Sequence, residues 1–132
     1  MVTKILVVDD EEGIRKFLSE FLTREGYQVL LAASGDERVK IAQRDNPGVI
    51  LLDMKMPGLN GFDTCRGLKG YEKTRHIPVI VATAYRERVL EAFDAGADDL
   101  VTKPFRLEEL AVRVKSMVRI LHLTDELERA AA

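Results

Sequence analysis

What the chain lacks narrows its function before any motif is read. It has one cysteine, Cys65, so no intrachain disulfide can form. A lone thiol of this kind usually packs as a small core residue in a reducing compartment. No apolar run approaches the ~20 residues needed to cross a bilayer. The first residues, Met1-Val2-Thr3-Lys4-Ile5, carry neither the apolar stretch nor the cleavage site of a secretion signal. A cytoplasmic protein with no membrane partner is expected. Neither sign of charge dominates: 20 Lys and Arg stand against 22 Asp and Glu, net −2. That argues against the basic surface that direct nucleic-acid binding needs. Linkers, low-complexity tracts and sequence repeats are missing too. The 132 residues, 46% apolar and 32% charged, read as one domain with a proper core.

Two kinds of segment alternate along it. Short apolar runs fall at Ile5–Val8, Tyr27–Ala32, Val49–Leu52, Pro78–Ala82 and Leu100–Thr102. The first, third and fourth are apolar without alternation, as in a strand covered by helices on both faces. The second is mixed and the last is short, so both are expected at sheet edges. Helical spacing lies between the runs. Ile14, Phe17, Leu18, Phe21 and Leu22 form an amphipathic stripe that Gly26 terminates. A second helix opens at Ser34 or Gly35 and ends before Asn46-Pro47. Further helices are expected over 61–69, over 86–95 up to Gly96, and from Leu107 onward. Five βα repeats imply an α/β, doubly wound five-stranded parallel sheet. The flavodoxin-like order 2-1-3-4-5 needs no long extra connection.

Ligands of such sheets sit beyond the carboxyl ends of the strands, at the switch point. Here those ends carry Asp9 and Asp10 after strand 1, Asp53 after strand 3, Thr83 after strand 4 and Lys103-Pro104 after strand 5. Three carboxylates this close repel one another unless a cation joins them. Mg²⁺ suits carboxylates combined with phosphate oxygens, and Mn²⁺ could substitute. A carboxylate beside such an ion can attack a phosphoryl group. Asp53, central in the sheet, is then the nucleophile, Asp9 and Asp10 hold the metal, Lys103 is the phosphoryl counter-ion, and Thr83 is the sensor hydroxyl.

Each residue also has a bland reading. An acidic run favours a helix dipole, a strand-end Asp or Thr caps a turn, and Lys-Pro alone means little. Five of them at successive strand ends of one rim are not explained that way. Two enzyme readings of the same layering are weaker. A flavodoxin-type protein wants a Ser/Thr/Gly-rich loop after strand 1, where this chain has DDEEG. An aspartate-based phosphatase wants an acid two residues past the nucleophile, and that residue is Lys55. His76 and His122 lack a ligand cluster and read as surface residues.

The stretches ILVVDDEE (5–12), VILLDMKMPGLNGFD (49–63), PVIVATA (78–84) and AGADDLVTKPF (95–105) together resemble the receiver (CheY-like) domain of two-component signalling. The resemblance spans residues 3 to about 121. It implies that Asp53 is the phospho-acceptor, that Asp9 and Asp10 bind Mg²⁺, and that the Lys55 backbone carbonyl completes the metal sphere. It also implies a switch role for Thr83, a catalytic role for Lys103 and a cis Lys103-Pro104 peptide. The donor would be a phosphohistidine on a sensor histidine kinase or phosphotransfer protein, and the protein no enzyme in the conventional sense. A degenerate receiver that only binds partners is the alternative, disfavoured because all five site residues are present. Leu100 stands where many receivers carry Tyr or Phe, so a switch coupled to that aromatic is not expected; Tyr85 offers a ring nearby. Lys55 and Tyr85 border the face from which a hydrolytic water approaches, so slow autodephosphorylation is expected.

The last helix shows core spacing at Leu107, Leu110, Val114, Met117 and Leu121. From about that point Ile120, Leu123, Leu127 and Ala130 continue in coiled-coil-like spacing. Residues 1–121 are read as the receiver domain and 122–132 as an extension of the last helix, leading to a homodimer or an output domain.

Overall fold

The apolar runs pair into a single parallel sheet. The computed structural model describes residues 3–9, 11–33, 40–42, 44–54, 59–84 and 86–131, without the side chains of residues 53, 54, 59–61 and 125. Its strands are β1 (Lys4–Val8), β2 (Gln28–Ala32), β3 (Val49–Met54), β4 (Val79–Thr83) and β5 (Asp99–Thr102). They run in the expected order β2-β1-β3-β4-β5, and every pair is parallel. The runs without alternation take the centre, because only there do helices cover both faces. Leu6, Val8, Ile50, Leu52, Val79 and Val81 enter one core. Their neighbours Ile5, Val7, Val49, Leu51, Ile80 and Ala82 enter the other, as the two-residue period of a strand requires. β2 and β5, with half-exposed positions, lie at the edges as expected.

The helices divide between the faces. Helix α1 (Glu12–Arg24) and helix α5 (Leu107–Ala131) cover one, with Leu18, Leu22, Leu110 and Val114 buried. Each such burial stabilises by roughly 1.5–3 kcal/mol. Phe17 departs from the expected stripe: it is 55% exposed, because Ile14, Leu18, Phe21 and Leu22 already fill the buried arc and Phe17 falls on its flank. The other face is covered by helical residues 40–42 and 44–45 (α2), α3 (Leu59–Gly70) and α4 (Val89–Asp94). The expected start of α2 at Ser34 or Gly35 lies outside the described residues. Its end is as expected: Asn46 adopts φ +46°, which asparagine tolerates, immediately before Pro47. The helix expected over 86–95 is shorter. A 3₁₀ turn (Arg86–Arg88) precedes α4, as helix starts often tighten.

One interaction outside the cores ties the second face together. The Lys69 ammonium at the end of α3 meets Asp98 Oδ2 at 2.6 Å and donates to the carbonyls of Ile77 (2.8 Å) and Arg75 (3.3 Å). Asp98 Oδ2 also accepts the Val79 N–H at 2.8 Å. The lysine stem lies over Gly96, whose φ is +103° and where a Cβ would stand 2.8 Å from Lys69 Cγ. Gly26 has a similar φ, +97°, but open space around it. Both Ala substitutions incur backbone strain of about 1–2 kcal/mol; only Gly96→Ala also displaces Lys69. Urea unfolding is expected to show Gly96→Ala as the more destabilising, by about 1 kcal/mol over Gly26→Ala. Equal midpoints would mean that the lysine stem does not matter.

Candidate functional site

Register brings Asp9, Asp53 and Thr83 to one rim. Val8 pairs with Leu52, the last pair of that ladder, so the residues that follow, Asp9 just past β1 and Asp53 within β3, come level at the rim. Asp53 pairs with Ala82, Met54 with Thr83, and Thr83 with Thr102. The strand ends expected from the sequence stop just short of Asp53 and Thr83. Both instead lie within them, since the β3–β4 ladder runs through Met54 and Thr83. The rim is held further by the Lys103 N–H, which donates to the Thr83 carbonyl at 2.7 Å.

Asp9 is held at several points. Its N–H donates to the Ala32 carbonyl at 3.2 Å. Its carbonyl accepts from Arg15 Nη1 at 2.6 Å, and its Oδ1 accepts the Glu11 N–H at 2.8 Å. The residue is 2% exposed, yet its Oδ2 is buried without a hydrogen-bond partner among the described residues. A buried carboxylate oxygen left bare is costly. It is the donor a hard divalent cation takes, so Asp9 fits a Mg²⁺ ligand. Among the described residues no cluster of three metal-ligating side chains is found; the side chains of Asp10 and Asp53 are not among those described.

Thr83 is buried at the end of β4, and Lys103 is half-buried after β5. The Lys103-Pro104 peptide is cis. Leu100 packs into the core beside Val81, its partner on β4; an aliphatic side chain thus occupies that position of β5. Asp10, Lys55 and Tyr85 lie outside the described residues. Arg15 was not singled out from the sequence. The available signal was a cation in the first turn of α1, just after four acids, where the helix dipole disfavours positive charge.

Other reactive side chains are elsewhere. Cys65 is fully buried in α3, and burial pushes its thiol up to about 11, which keeps it protonated and unreactive. His76 and His122 are exposed, and His76 Nε2 lies 3.2 Å from Asn46 Oδ1. Among the described residues no helix is long and apolar enough to cross a membrane.

Residues 5–115 match the response regulator receiver domain family. The chain is 42% identical to the response regulator PleD of Caulobacter vibrioides over 134 aligned positions, covering 100% of this chain and 30% of PleD. It thus spans less than a third of that relative's length. The signal receiver domain of a signal transduction histidine kinase from Syntrophus aciditrophicus superposes with a TM-score of 0.81 at 34% identity, over 89% of this chain and 91% of that one. The chemotaxis response regulator CheY4 of Vibrio cholerae superposes with a TM-score of 0.80 at 30% identity, over 89% and 99%.

The bare oxygen of Asp9 generates a prediction. Asp9→Asn keeps an acceptor for the Glu11 N–H and removes a buried charge. Without metal it is expected to be more stable than wild type by about 1–2 kcal/mol. Chemical denaturation in EDTA measures this, and a less stable variant would show that Asp9 is already fully satisfied.

Proposed function

Since the chain belongs to the response regulator receiver domain family of two-component systems, we propose that it is a phosphorylation switch whose acceptor is Asp53. The observation that carries this reading is the shared level of Asp9 and Asp53, with the unpartnered Asp9 Oδ2 beside that level. A carboxylate held next to a metal ligand, at a strand end beside the switch point, is suited to take a phosphoryl group.

In the proposed reaction a carboxylate oxygen of Asp53 attacks the phosphorus of a phosphohistidine on a sensor kinase or phosphotransfer protein. The new O–P bond forms as the N–P bond breaks, and the imidazole nitrogen leaves with the electron pair. Asp9, Asp10 and the Lys55 carbonyl would hold Mg²⁺, which when bound supplies charge neutralisation for the carboxylates and the phosphoryl oxygens. Lys103 places an ammonium against a phosphoryl oxygen, and Thr83 offers its hydroxyl to another. With Leu100 aliphatic, the signal would leave through Thr83 and the β4–α4 connection rather than through an aromatic on β5.

The partner-only alternative has less support, because a chain that never binds metal gains nothing from keeping Asp9 Oδ2 buried and bare. Acetyl phosphate with Mg²⁺ is expected to add one phosphoryl group to the wild type, seen as a mass increase. Asp53→Asn should take up none; labelling of that variant would overturn the assignment.

The output is proposed to leave along α5. The helix is half-buried up to Leu121, which packs over Gly48. Next to it Ile120, and past it Leu123 and Leu127, are 53%, 51% and 71% exposed on a continuous helix. We read residues 122–132 as an extension that joins a second copy or an output domain. Sedimentation with and without a phosphate mimic is expected to show stronger self-association in the loaded state. A monomer at high concentration in both states would count against the dimer.

A further inference from the structure

We propose that Arg15 is a positioning residue for the metal ligand Asp9, acting by clamping its backbone carbonyl; this rests on the reading of Asp9 as a Mg²⁺ ligand. Arg15 sits in the first turn of α1, and helical side chains lie back over the preceding turn. Its guanidinium therefore returns across the end of β1 and donates through Nη1 to the Asp9 carbonyl at 2.6 Å. With the Asp9 N–H on Ala32 and Oδ1 on the Glu11 N–H, three of the residue's four polar groups are tied. Among the described residues only Oδ2 is left, buried and unpartnered. The backbone and one carboxylate oxygen are thus held while the other is presented, which is how outer partners orient a ligand before the ion arrives.

The charge of Arg15 points the opposite way from this role. A cation at a helix N-terminus opposes the dipole, and beside a divalent ion it repels. If charge were its only effect, removing Arg15 would tighten Mg²⁺ binding. If the clamp dominates, removing it weakens binding. The sign of the change separates the two. Lys16 is the matched control: it lines the same surface groove as Arg15, and makes no hydrogen bond to Asp9 among the described contacts.

The test is Mg²⁺ titration by calorimetry on the full chain, with metal-free thermal melts alongside. Arg15→Ala is expected to weaken Mg²⁺ about tenfold, the lower end for loss of an outer partner, while its metal-free melt stays near wild type. Arg15→Lys, with one shorter donor, is expected to recover part of the loss, and Lys16→Ala to bind as well as wild type or slightly better. In a wild type that binds Mg²⁺, unchanged or tighter binding by Arg15→Ala overturns the clamp and leaves the metal site standing. If Arg15→Ala does not fold, Arg15→Lys decides: about threefold weaker binding supports the clamp and wild-type affinity overturns it. A wild type that takes up no Mg²⁺ overturns the metal reading of Asp9, and the clamp with it.

Discussion

The parallel register of β1, β3 and β4 is the constraint on which the rest of this molecule depends. Parallel pairing carries all the carboxyl ends to the same side of the sheet, and the one-to-one ladder from Ile5–Val49 to Val8–Leu52 sets Asp9 level with Asp53. A slip of one residue would turn Leu6 and Val8 out of one core and into the other. The two layers of aliphatic side chains that hold the sheet between its helices therefore also hold the rim.

Stability and chemistry pull against each other at that rim. Asp9 is buried there and keeps one carboxylate oxygen without a partner among the described residues. The offset comes from the cores beneath, where Ile5, Leu6, Ile50, Leu51 and Ile80 are all fully buried. A fold with a thick apolar centre can bear a bare carboxylate at its edge. That is the arrangement a cation-dependent switch needs, since the ion then relieves a strain already present.

The two sides of the sheet are tied in different ways. On the α1/α5 side the packing is apolar, mostly aliphatic with Phe21, Tyr27 and Phe105 at its margin, and α5 stays half-buried as far as Leu121. On the other side α4 is short, preceded by a 3₁₀ turn and followed by Gly96. There the Lys69–Asp98 contact fixes the loop into β5, linking α3, the start of β4 and the start of β5 through one ammonium.

Much of this was legible in the sequence because it rests on short-range rules. Unalternating apolar runs marked the central strands, Gly26 and Asn46-Pro47 marked helix ends, and Asp9 and Lys103 fell just past strand ends. Periodicity was less able to say how wide a buried face is, so Phe17 was placed in the stripe it flanks. It could not show how far a ladder runs either, and Asp53 and Thr83 proved to lie inside their strands. Pairing partners decide that, and they come from elsewhere in the chain. The ties of Arg15 to Asp9 and of Lys69 to Asp98 belong wholly to the tertiary structure. A long cationic side chain can reach many acceptors, and only the packed backbone decides which carbonyl or carboxylate stands within hydrogen-bond distance. The layering, the strand order and the kinds of group at the rim follow from hydrophobic period and residue chemistry, which are local. Which atoms of those groups are held, and which is left bare, depends on distances between strands and helices that no local pattern carries.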